Sequence, residues 1–174
     1  MLRKYSEALN VRMSAEGVEA PSADVIEYAL KIIVNTLSIT LLALLVGLTT
    51  NRFPETIAAV LGLSTLRFVS GGYHIRSGIL CIVVSVVLLS IIPHIAVPTM
   101  WIYFLNGISL LFVALLAPAN FDKYAWASRQ QYPILRLIGL IIVASNFIWM
   151  SSTLALIFAL QAISLLFKEG GENI

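Results

Sequence analysis

Long apolar runs broken by short polar clusters extend along almost the whole of this chain. The first lies near 25–48 and ends at Thr49, Thr50, Asn51 and Arg52. Pro54 opens the next, near 54–70, because proline suits the first turn of a helix, and Gly71-Gly72 closes it. The run from Ile79 to Ala117 is too long for one crossing of about 20 residues. Pro93, His94, Pro98 and Thr99 divide it into spans near 78–96 and 100–117. A polar connection covers 118–133. Ile134 to Phe167 again exceeds one span, and Ser151, Ser152 and Thr153 are the expected break, giving 134–150 and 153–167. The pattern predicts an all-α polytopic membrane protein: one integral membrane domain over 1–174, with about six transmembrane helices and a polar tail from Lys168 to Ile174.

Ahead of the first span, Leu2, Tyr5, Leu9 and Met13 recur at spacings of three and four and so share one helical face. Arg3, Lys4, Glu7, Asn10 and Arg12 fall elsewhere on the wheel. Residues 1–20 therefore read as an interfacial amphipathic helix, with a solvated terminus as the plainer alternative. The segment has no apolar run of the kind a secretory signal carries. Pro21 and Ser22 mark the boundary, Ser22 as an N-cap, and Asp24 and Glu27 lie where a helix dipole favours acids.

Composition agrees with the pattern. Of 174 residues, 59% are apolar and 11% charged, against about 25% charged in a soluble domain. A net charge of +2 is too small to suggest nucleic acid. The placement of the basic residues is more telling. With six spans, one side receives Arg3, Lys4, Arg12, Lys31, Arg67, Arg76, Lys123, Arg129, Arg136 and Lys168, and the other only Arg52. By the positive-inside rule both termini are cytoplasmic.

The stretch that could carry chemistry runs from Arg67 through Gly71, Gly72, Tyr73, His74, Arg76 and Ser77 to Cys81, the single cysteine. A thiol nucleophile needs a base nearby and an environment that favours the thiolate. Ser77 can cap the third span, which places Cys81 about one turn inside it, at the positive end of the helix dipole. Arg76 adds positive charge, and His74 can serve as general base and then general acid. In one straight helix the two side chains would lie about 10 Å apart along the axis, too far for proton transfer. Gly71 and Gly72 must therefore break the helix. The plainer reading is a cysteine that fills space among helices and a histidine near lipid headgroups.

Other polar residues carry less. One cysteine excludes an internal disulfide and a multi-cysteine metal site. His94 lies about 20 Å from Cys81 along the same span, so neither a metal nor another cofactor is expected. Asn35, Asn106, Asn146 and Gln161 read as helix–helix hydrogen-bonding groups. Ala58 and Gly62 offer a small-residue face at i, i+4 that suggests a homodimer.

At Arg67, Gly71-Gly72-Tyr73-His74, Ser77 and Cys81 the sequence resembles the accessory gene regulator B family. The amphipathic start, about six spans and the segment Ala117-Pro118-Ala119 are also similar. The resemblance implies a multi-pass protein of the bacterial cytoplasmic membrane. It implies a cysteine endopeptidase acting on an AgrD-like pro-peptide, the precursor of a quorum-sensing autoinducer. On that pattern His74 and Cys81 are the catalytic pair, and Arg67, Gly71, Gly72 and Ser77 support them. Arg76, Lys123 and Arg129 would meet the substrate on the basic face. The loop after the Ala-Pro segment is less basic than the family's often is, with Lys123, Arg129 and Arg136 amid Gln130, Gln131 and Tyr132. Two readings without chemistry stand beside this one: a small transporter or channel component, and a membrane scaffold or chaperone.

Overall fold

The computed structural model describes residues 2–17, 19–73, 77–119 and 128–167. Within them the chain forms α1 (Leu2–Ala15), α2 (Ala23–Thr49), α3 (Phe53–Ser70), α4 (Gly78–Ile91), α5 (Thr99–Leu116), α6 (Tyr132–Trp149) and α7 (Ser152–Ser164). Short 3-10 turns at Ile92–His94 and Arg129–Gln131 lead out of α4 and into α6. Pairing of the β type among the described residues is limited to one parallel bridge between Gly71 and Ala119.

The predicted punctuation is where the helices start and stop. Ser22 Oγ accepts from Val25 N at 3.4 Å and caps α2. Proline stands in the first turn of α3. α6 ends on Met150 in the left-handed conformation, and Ser151 caps α7 one residue later. The third expected span is subdivided: regular helix stops at Ile91, and Pro93 continues it only as a 3-10 turn, because proline cannot donate to the helical ladder.

α7 is the central element. It has 13 residues, so at 1.5 Å per residue it is about 20 Å long, well short of the hydrocarbon thickness of about 30 Å. Protein surrounds most of it. Ala155, Ile157, Phe158, Ala159 and Ala162 are buried, and the helix packs chiefly against α5 and α3. Gly62 of α3 lets α7 approach: a Cβ there would stand 2.8 Å from Leu154 Cδ2 and 3.4 Å from Phe158 Cε1. Gly62, one of the two small residues that suggested self-association, is thus used inside the chain.

α2 lies at the periphery, against α1, α3 and α4. Its Leu37, Leu41, Leu45 and Leu48 are exposed, an apolar face suited to lipid. Three stretches are long and apolar enough to cross a membrane, Ala23–Thr49, Thr99–Leu116 and Arg129–Trp149, while Gly78–His94 and Ser152–Ser164 are shorter apolar helices. The chain is therefore an all-helical membrane protein. Six crossings with cytoplasmic termini is the reading of the basic residues; length and apolarity alone single out three helices.

α1 forms within the segment expected to be helical. Tyr5 and Leu9 are exposed, whereas Ser6 is buried where α1 packs on α2. Ser6 tolerates burial because its hydroxyl donates to Arg3 O at 2.8 Å. Asn10 Nδ2 donates to Pro21 O at 2.8 Å and ties the two helices across the turn.

Polar groups inside the bundle are paired across helices. Asn146 Nδ2 donates to Asn106 Oδ1 at 3.2 Å and to Ser151 O at 3.1 Å, and Asn146 Oδ1 accepts from Ser151 N at 3.0 Å. One side chain therefore joins α5, α6 and the turn into α7. Each buried group left unpaired costs about 1–3 kcal/mol. Asn146→Leu is expected to lower the melting temperature in lipid more than Asn106→Leu, which removes one bond and also a buried donor that has no partner. Thermal unfolding of the two variants side by side checks this, and an equal or reversed order would refute it.

Candidate active site

α3 ends because Gly71 and Gly72 adopt φ of 67° and 125°, backbone that residues with a Cβ rarely take up. The end of a helix leaves peptide groups without intrahelical partners. Here they find partners elsewhere in the chain. Gly72 N donates to Ala119 O at 3.1 Å, Ala119 N to Ser70 O at 2.9 Å, and Tyr73 N to Ser164 O at 3.2 Å. Gln161 Nε2 donates to Gly71 O at 2.6 Å and to Ser70 Oγ at 3.1 Å. Arg67 donates to Tyr73 O, and Arg136 Nε to Ala117 O at 2.7 Å. The break is thus bonded to the Ala117–Ala119 segment after α5 and to the last turn of α7.

Beyond the break the helix starts afresh. Ser77 Oγ accepts from Leu80 N at 3.4 Å and caps α4, as its position predicted. Cys81 N donates to Ser77 O at 2.9 Å, which places Cys81 in the first turn. Helix does not run unbroken from residue 70 to 85, as the sequence reading of the His–Cys segment required. His74 itself lies outside the described residues, between Tyr73 and Ser77.

Cys81 is half-buried and borders a cleft of about 250 Å³ between α3, α4 and α7. The walls are mostly aliphatic, with Leu63, Leu88, Ile157 and Leu160 among them. Polar atoms come from Arg67, Ser85, Gln161 and Ser164. Ser85 follows Cys81 by four residues, so both lie on one face of α4. Tyr73 and Phe167 complete the rim, their ring centroids 6.0 Å apart.

Of the predicted set, Arg67 and Cys81 border the cleft, Gly71 and Gly72 form the break, and Ser77 caps α4. Arg129 stands exposed in the turn before α6 and does not line the cleft. Arg76 and Lys123 lie outside the described residues. Sequence reading placed Gln161 among helix–helix bonding groups. That bonding is present, but its partners are the break itself, which joins it to the site. Ser164, Ser85 and Phe167 carried no comparable signal, because serine and phenylalanine are ordinary in apolar helices.

Gly72 has no room for a side chain. A Cβ would stand 2.7 Å from Ser164 Oγ and 3.1 Å from Gln161 Nε2, at a φ that already strains any L residue. Backbone strain of this kind costs about 1–3 kcal/mol. Gly72→Ala is expected to destabilise the protein by at least that much in a thermal unfolding assay. Gly107→Ala, with nothing within 4 Å of the new Cβ, should be neutral or mildly stabilising. Equal stability of the two would show that the break is not tightly held.

Comparison with known proteins bears on the whole chain. Neither a curated protein nor a solved structure matches it. The family model for accessory gene regulator B matches residues 5–168. That span includes the amphipathic helix, the glycine break, the start of α4 and the last turn of α7, and the chain belongs to the accessory gene regulator B family.

Proposed function

We propose that this chain is a membrane-embedded cysteine endopeptidase that removes the C-terminal tail of an AgrD-like pro-peptide and supports its cyclisation. Family membership supports a role in peptide quorum sensing. The observation that carries the catalytic reading is the break at Gly71-Gly72. It ends one helix and lets the next begin at Ser77, with Cys81 in its first turn beside a cleft. A cysteine serving only as filler needs neither the break nor the cap.

In this reading His74, which follows the cleft residue Tyr73 in the chain, takes the thiol proton from Cys81. The sulfur attacks the carbonyl carbon of the scissile peptide bond. The tetrahedral intermediate collapses, the C–N bond breaks, and His74 returns the proton to the departing amine. The acyl group is then a thioester on Cys81. A substrate thiol displaces the Cys81 sulfur and closes a thiolactone; a substrate hydroxyl gives a lactone. Exchange between thioesters is nearly neutral in energy while hydrolysis is downhill, so the site must hold the internal nucleophile close and limit water. The aliphatic walls of the cleft serve the second need.

The charge on the intermediate needs donors. Cys81 N and Leu80 N are engaged by Ser77. Gly78 and Ile79 precede the first residue whose amide an α-helix bonds internally, so their N–H groups are the donors proposed for the oxyanion. Arg76, Lys123 and Arg129 are the residues proposed to attract an acidic tail through their positive charge. The bilayer is the working environment, and the cytoplasmic face of a bacterial membrane the proposed location.

The test is capture of the acyl-enzyme. Protein in lipid is incubated with a synthetic AgrD-like peptide and its intact mass recorded, with Cys81→Ala and His74→Ala in parallel. The expected adduct equals the peptide less its tail, is released by hydroxylamine and is absent from Cys81→Ala. His74→Ala should slow its formation at least 100-fold, the usual lower range for general acid–base catalysis of about 10²–10⁴-fold. Folded protein that neither cleaves nor labels, or a Cys81→Ser protein with full function, would favour the transporter or scaffold readings.

A further inference from the structure

Gln161 is 1% exposed and borders the cleft beside Cys81. Its amide orientation is dictated by its neighbours. Gly71 O lies 2.6 Å from one terminal atom of the side chain, and a carbonyl oxygen can only accept. That terminal atom must therefore be the nitrogen, and the side-chain oxygen points the other way. There Oε1 is buried and has no hydrogen-bond partner among the described residues. An amide oxygen held away from water without a donor is disfavoured. The cost is removed if a ligand brings an N–H.

The aliphatic walls restrict which ligand that is. Leu63, Leu88, Ile157 and Leu160 favour an uncharged apolar side chain over an acidic or basic one. A peptide segment with such a side chain also carries a backbone N–H, which needs an acceptor once it leaves water. Building on the peptidase reading, we propose that Gln161 is a substrate-binding residue whose Oε1 accepts a hydrogen bond from one backbone N–H of the pro-peptide segment seated in the cleft. Its Nε2 meanwhile holds Gly71 and Ser70. One carboxamide thus fixes the chain break with its nitrogen and reads the substrate backbone with its oxygen. The contact selects for a peptide N–H at one position, so a residue without that hydrogen, such as proline, is excluded there.

The experiment couples the side chain to the peptide atom. A synthetic AgrD-like peptide is prepared with each backbone N–H on the acyl side of the scissile bond replaced in turn by an ester oxygen. Binding of each to Cys81→Ala protein in lipid nanodiscs is measured by fluorescence anisotropy, so that no cleavage is required. One ester position is expected to weaken binding about ten-fold, the value of one neutral hydrogen bond. In protein that also carries Gln161→Met, the native peptide should bind about as weakly as that ester, and the ester should add no further loss. Losses that simply add, or no ester position with any effect, would overturn the assignment. The second result needs only the Cys81→Ala protein, so a Gln161→Met variant that fails to fold does not protect the proposal. Coupled binding in a protein that never forms the acyl-enzyme would retain this contact and refute the peptidase. Cleavage without coupling would do the reverse.

Discussion

The chain leaves α3 and enters α4 through peptide groups that no helical ladder satisfies, and the site depends on the partners they find in other elements. The break between α3 and α4 has donors and acceptors at Ser70, Gly71, Gly72 and Tyr73. Their partners come from three other places: the Ala117–Ala119 segment, Gln161 and Ser164 of α7, and the side chain of Arg67. These bonds hold the end of α3 against the segment after α5 and the last turn of α7.

The same constraint accounts for α7. A helix of 13 residues is too short to span lipid alone, yet here it is packed against α3 and α5. Its two ends do the polar work. At its start, Ser151 meets Asn146, and Ser152 accepts from Val97 N at 3.2 Å. At its finish, Gln161 and Ser164 meet the break. Its middle is small or aliphatic, which permits close approach by Gly62. A short, rigid, protein-covered strut positions the site more accurately than a lipid-facing helix could, because neighbours on most sides fix its depth and rotation.

This arrangement also gathers charge. The end of the bundle that holds the break collects the C-terminal turns of α3, α5 and α7 and the N-terminal turns of α4 and α6. Arg67 and Arg136 each donate to a main-chain carbonyl there. A guanidinium has several donors, so it can brace the backbone and still present positive charge to the surroundings. Two of the basic residues that the positive-inside reading counts on one side thus also brace the backbone at the candidate site.

Much of this was determined by sequence alone. Apolar period and length made the chain helical and membranous. Proline, serine and glycine marked the ends of α2, α3, α4 and α7, because capping and left-handed backbone depend on the residue that stands there. The run from Arg67 to Cys81 called for a break between two helices, and α3 ends and α4 begins within it. Other features were decided only by tertiary structure. The exposed Tyr5 and Leu9 beside the buried Ser6, the use of Gly62 for α7, and the place of Gln161 beside Gly71 all depend on which helices become neighbours. Gln161 and Gly71 are 90 residues apart, and a periodic pattern records only which face of a helix is apolar. What meets that face is settled by packing, through the close approach of small residues and the need of each buried polar atom for a partner.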